Sequence, residues 1–93
     1  MSTWYLYLIE CEGGTLYAGI STDVERRYAE HVAGKGARYT RARKPVRLVG
    51  FRECGTRSEA LKAELAIKKL PKERKVEALF SAKPHEAAHI ASA

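Results

Sequence analysis

The sequence predicts an α+β fold: a small, three-stranded, mostly antiparallel sheet flanked by helices, in the order β-β-α-β-α-α. Three observations predict it. Two segments rich in aromatic and branched residues, TWYLYLIEC and TLYAGI, are separated only by a short Glu-Gly-Gly turn. A third such stretch, VRLVGFREC, comes after a long basic segment. Between and after the strands lie helical patterns with recognisable start and stop signals.

The elements follow in chain order. TWYLYLIEC and TLYAGI have the composition of strands and should pair as an antiparallel hairpin. Thr22 and Glu25 have the spacing of a capping box, so a helix should run from about Asp23 to Ala33 and stop at Gly34. On it Val24, Tyr28 and Val32 recur every four residues and should pack on the sheet. GKGARYTRARKP is too glycine-rich and charged for a core element and reads as a basic loop. VRLVGFREC supplies the third strand. Thr56 or Ser58 caps a second helix, which Pro71 interrupts after Leu70. Pro71 then suits the first turn of a short last helix, KERKVEALF. Residues 1–80 thus form one domain, and 81–93 read as a flexible tail without an apolar period.

The chain has 93 residues, enough for one modest core. No apolar run approaches the roughly 20 residues that span a bilayer, and the first residues lack the basic start of a secretory leader. The sequence therefore predicts a cytoplasmic protein with no membrane partner. Two distant cysteines, Cys11 and Cys54, fit reduced thiols packed as small hydrophobes rather than a disulfide scaffold. The net charge of +6 is unevenly spread. Residues 1–25 carry four acids and no Lys or Arg, whereas residues 26–57 carry ten basic residues against two acids. A block so basic points to a polyanion partner, although a merely solubilising face would have the same composition.

Arg27 and His31 stand one turn apart on the first helix, beside its apolar face. Taken alone they read as surface residues of an amphipathic helix, because helix surfaces are normally charged. On the second helix Ala60, Leu61, Leu65 and Ile67 span an apolar arc, and Glu64 falls inside it. A carboxylate facing a core costs several kcal/mol unless it is paired, hydrogen-bonded or holding a metal. Lys68, one turn on, would make an ordinary Glu–Lys pair.

Together these residues resemble the GIY-YIG nuclease superfamily, and most of all its small stand-alone bacterial YhbQ-like members. The likeness runs over about residues 4–80. Tyr5-Leu6-Tyr7 stands for the first motif and Tyr17-Ala18-Gly19 for the second. STDVERRYAEH, GKGARYTRARKPVRLV and SEALKAELAIKKL match the later segments in order. Tyr5 replaces the glycine of the superfamily name, and Ile20 and Ser21 stand where some members carry a lysine.

The resemblance implies a Mg²⁺-dependent endonuclease, with Mn²⁺ as a substitute and no small-molecule cofactor. It implies that Tyr17 activates the attacking water and that Tyr7 holds the Tyr17 hydroxyl. Arg27 would stabilise charge on the phosphate, His31 would assist the tyrosine or the water, and Glu64 would hold the metal. The division of labour is chemically reasonable. Arg offers a rigid fork of donors to a phosphoryl centre. Mg²⁺ accepts one carboxylate when waters and substrate phosphate complete its shell, which favours a one-metal mechanism.

Lys35, Arg38, Tyr39, Arg41, Arg43 and Lys44, with Arg47, form the expected nucleic-acid surface. Phosphate contacts of this kind give affinity without sequence information, and Tyr39 can stack on an exposed base. With no element to read base edges, cleavage should be structure-selective and linked to DNA repair or processing, by a monomer or weak homodimer. RNA shares the phosphate chemistry and stays an open substrate. A nucleic-acid-binding module without catalysis is the alternative, and a small protein-interaction domain a third reading. Neither requires Tyr7, Tyr17, Arg27, His31 and Glu64 as a set. His85-Glu86-Ala87-Ala88-His89 matches the zinc-protease pattern, but only four residues follow it and none can complete a zinc site through its side chain, so it reads as a chance motif. Binding to nucleic acid should be weak and steeply salt-dependent. Replacing Arg41 and Arg43 by Ala should weaken it about equally for unrelated sequences, as a plot of log affinity against log salt would show.

Overall fold

The computed structural model describes residues 2–81. The tail motif at His85–His89 lies outside them. Strand β1 (Trp4–Cys11) leads through a 3₁₀ turn at Glu12–Gly14 into β2 (Thr15–Ser21). Helices α1 (Val24–Val32) and α2 (Arg38–Ala42) precede β3 (Pro45–Gly55), and α3 (Arg57–Lys68) and α4 (Lys72–Phe80) close the domain. The sheet is antiparallel in the order β2-β1-β3.

β1 is the central strand, which explains its unbroken apolar run. Leu6, Leu8, Ile9 and Cys11 have no exposed surface, and Tyr7 almost none. Leu6, Leu8 and Ala18 pack with Ala63, Ile67 and Leu79 from α3 and α4. Tyr7, Ile9 and Cys11 point the other way and pack with Val24 of α1, beside Tyr5, Tyr17, Tyr28 and Leu48. The sheet therefore carries α1 on one face and α3 with α4 on the other. Cys11 and Cys54 are free thiols, and burial pushes the Cys11 thiol up, away from nucleophilic character.

Four local expectations are corrected. α1 is capped by Asp23, whose carboxylate accepts from the Arg26 N–H at 3.1 Å, not by Thr22. Ser21 takes the hydroxyl's place one step earlier, accepting from the Asp23 N–H at 2.9 Å. Secondly, Val32 is 58% exposed and His31 is fully buried. A strict four-residue step overshoots the helical repeat by roughly 40°, so the inward stripe runs Val24, Tyr28, His31 and leaves Val32 outside. The same drift turns Leu65 outward at 60% exposure, and the buried face of α3 is Ala60, Ala63 and Ile67. Thirdly, the basic segment contains the one-turn helix α2, with Thr40 buried among exposed neighbours. Lastly, Pro71 falls at the N-cap of α4 rather than inside its first turn.

Thr56, not Ser58, caps α3. Its hydroxyl accepts from the Glu59 N–H while the Glu59 carboxylate accepts from the Thr56 N–H, both at 3.1 Å. Thr56→Ala should therefore cost about 1 kcal/mol in denaturant unfolding.

Candidate active site

Register places the first tyrosine of the site. Tyr7 pairs with Gly19 across the hairpin, and Tyr17 pairs with Ile9, so both tyrosines lie on the α1 face. A Cβ on Gly19 would stand 2.4 Å from the Tyr7 hydroxyl oxygen. The missing side chain lets the Tyr7 ring lie across β2 and carries its hydroxyl toward the edge of the sheet. There α1 brings His31, whose Nε2 lies 2.9 Å from the Tyr7 oxygen. On the other side of the ring, His31 Nδ1 lies 2.7 Å from Thr40 Oγ1. The Tyr17 ring tilts against His31 at 5.2 Å, and Tyr39 stacks on Tyr17 at 5.8 Å.

Arg27, one turn before His31, is only one third exposed and donates to Glu30 at 2.8 Å. Glu30 also receives Arg26, at 2.6 Å. Glu64 of α3 stays near the buried rim, its side chain 16% exposed, and meets the half-exposed Lys68 at 3.3 Å.

Electrostatics ties these residues into one group. Burial, then the neighbouring Tyr17, pushes the Tyr7 phenol up to about 12; Arg27 opposes this and Glu64 adds to it. Burial and Arg27 lower the pKa of His31, holding the imidazole neutral. Glu30 raises Arg27, and Arg27 holds Glu30 below the usual carboxylate range.

Of the five residues singled out from sequence, Tyr7 and Tyr17 both touch His31, Arg27 stands one turn before it on α1, and Glu64 lies on α3. One relation differs from expectation: the Tyr7 hydroxyl is engaged by His31, so it is His31 rather than Tyr17 that Tyr7 holds. Thr40 and Glu30 were not signalled. Thr40 sat in a stretch read as loop, and Glu30 looked like any acid on a helix surface. Of the basic segment, Lys35, Arg38, Arg41, Arg43 and Lys44 are exposed. Arg47 is ion-paired with Glu10 at 2.7 Å. The groove lined by Leu16, Val49 and Val76 with Lys72 and Glu73 involves none of the five.

A metal site would rest on one carboxylate. No cluster of three His, Cys, Asp or Glu side chains occurs among the described residues. Glu64, kept near the protein interior with one flexible lysine opposite, fits a hard cation whose remaining ligands are waters and phosphate.

Comparison with known proteins identifies the family. The family model described as the GIY-YIG catalytic domain matches residues 3–77. A UPF0213 protein of Cupriavidus necator is 60% identical over 74 residues, covering 80% of each chain. One from Xanthomonas axonopodis is 46% identical over 76 residues, covering 82% of this chain and 74% of its own. The solution structure of a UPF0213 protein from Bacillus halodurans has a TM-score of 0.52 at 38% identity, over 92% of this chain and 93% of that one. That of an E. faecalis protein has a TM-score of 0.58 at 36% identity, over 97% and 90%. The chain belongs to the GIY-YIG family. It thereby carries a nuclease-type domain, of a kind that acts on nucleic acid and generally uses a divalent metal ion. No helix among the described residues is long and apolar enough to cross a membrane.

The buried phenol should leave a mark on stability. Up to about pH 10 Tyr7 is protonated in both folded and unfolded chains. Between 10 and about 12 only the unfolded chain releases the proton, so stability falls with rising pH. Denaturant titrations at stepped pH should show a loss on the order of 3 kcal/mol across that window, absent in Tyr7→Phe.

Proposed function

We propose that this protein is a Mg²⁺-dependent endonuclease that hydrolyses DNA phosphodiester bonds, with Mn²⁺ as a substitute. It selects branched, nicked or flapped structures rather than sequences, works in DNA repair or processing in the cytoplasm, and acts as a monomer or weak homodimer. Residues 1–80 are the nuclease domain. The observation that carries this reading is the contact of the Tyr7 hydroxyl and the Tyr17 ring with one imidazole, that of His31, one helical turn from Arg27.

The roles follow from the chemistry of each group. Arg27 meets the charge that builds on the scissile phosphate, and Glu30 keeps its guanidinium aimed along the face of α1. Tyr7, protonated far above neutral pH, does not serve as the base. It orients its neighbours as a neutral hydrogen-bonding group. Tyr17, between His31 and Tyr39, remains the group that takes up the proton of the attacking water. Glu64 would hold the metal ion, which supplies Lewis-acid stabilisation of the leaving oxygen. The exposed cations of the α2 segment hold the backbone in place.

The Glu64–Lys68 pair favours a second reading, a nucleic-acid-binding module without catalysis, in which Glu64 is only a helix-stabilising partner. Glu64→Gln separates the two. Incubated with branched, nicked, flapped and single-stranded DNA, the parent should cut with Mg²⁺ or Mn²⁺ and stop with chelator. The variant should lose on the order of 10³-fold in rate. Metal-free DNA binding should persist, and stability should hold or rise slightly. Cleavage at the parental rate by the variant would remove Glu64 from the site. A loss of a few tenths of a kcal/mol of stability as the sole effect would support the binding module.

A further inference from the structure

Three hydrogen bonds in series cross the interior from the sheet to the basic segment. Thr40 Oγ1 lies 2.9 Å from the carbonyl oxygen of Ala37, which can only accept. The Thr40 hydroxyl donates its single hydrogen to that carbonyl, which also accepts from the Arg41 N–H at 3.2 Å. Toward His31 Nδ1, at 2.7 Å, Thr40 can only accept, so Nδ1 carries a hydrogen. A neutral imidazole has one N–H, which leaves Nε2 bare and makes the Tyr7 hydroxyl the donor across the 2.9 Å contact. With the Thr40 hydrogen on Ala37 and the imidazole neutral, the remaining hydrogens have one direction.

The surroundings leave no slack. His31 has no exposed surface and Thr40 is 1% exposed. A Cβ on Gly36 would stand 2.2 Å from His31 Nδ1, so the backbone of the basic segment lies directly against the ring. The chain closes back onto α1 through the Lys35 N–H, which donates to the Glu30 carbonyl at 2.8 Å.

We propose that Thr40 is a positioning residue: it fixes His31 as the Nδ1–H tautomer, so that Nε2 takes the Tyr7 hydroxyl proton as acceptor. The Tyr7 oxygen is thereby left to present its lone pairs to Arg27 and to the attacking water. The catalytic part of this proposal rests on the nuclease reading above, whereas the tautomer does not. Thr40 also makes the segment that binds phosphate part of the mechanism that orients the site.

The test uses ¹⁵N-labelled full-length protein and long-range ¹H–¹⁵N correlation of the imidazole nitrogens at neutral to mildly alkaline pH. His31 is assigned by the signals lost in His31→Asn, which separates it from His85 and His89. The parent should show His31 with Nδ1 protonated and Nε2 bare, and Thr40→Ser should keep that pattern. Thr40→Val, nearly the same shape without the hydroxyl, should move it to the other tautomer or a mixture. In cleavage assays Thr40→Val should lower kcat by on the order of tenfold or more with KM little changed, and Thr40→Ser should restore most of the rate. An Nε2–H tautomer in the parent would overturn the proposal, and so would a Thr40→Val protein with parental tautomer and kcat. If Thr40→Val does not fold, the parent and Thr40→Ser spectra still decide the tautomer. If the parent cuts no nucleic acid, the nuclease reading fails while the tautomer result stands or falls by itself.

Discussion

The arrangement depends on one steric permission: an aromatic ring from the central strand crosses its neighbour where that neighbour has no side chain. Tyr7 is the buried residue that reaches the sheet edge, and it does so because Gly19 leaves the space above β2 empty. Any other residue at 19 would meet the phenol at a distance that atoms do not share. Without the crossing, the hydroxyl would not meet His31. The tyrosine-alanine-glycine run thus combines one tyrosine of the α1 face with the gap that admits another.

Around that hydroxyl, opposite charges are held in pairs rather than massed by sign. Arg27 faces Glu30, and Glu64 faces Lys68. Each pair keeps a charge tolerable near the interior, where a lone ion would carry a large desolvation cost. The buried phenol and imidazole between them are both kept neutral by the same desolvation, which raises one pKa and lowers the other.

Much of this was legible in the sequence. The hairpin, the third strand and the helices ending at Gly34 and Pro71 follow from composition and from turn and capping chemistry. The five candidate residues came from the resemblance rather than from periodicity, which by itself read Arg27 and His31 as surface groups. What was missed has a common cause. Pattern reading treats helix faces as fixed stripes, and the drift of the repeat moved His31 inward and Val32 and Leu65 outward. Thr40 was invisible for a different reason. One buried hydroxyl among glycines and arginines produces no apolar signal, and its worth lies in partners that only the folded chain brings together.

The attachment of the basic segment bears on how it meets a ligand. It is tied at its start by the Lys35–Glu30 backbone bond and in its middle by the bond between Thr40 and His31. At its end Glu12 and Lys44 are joined by a backbone bond at 2.9 Å and by the Glu12 carboxylate accepting from the Lys44 N–H. A segment of this composition, if free, would surrender backbone and rotamer freedom on every encounter with a polyanion. Pinned at three points, it gives up little more than the side-chain motion of its lysines and arginines. Its charges form a prearranged rail rather than a tethered arm, with Tyr39 of the same segment stacked on Tyr17 at its inner edge.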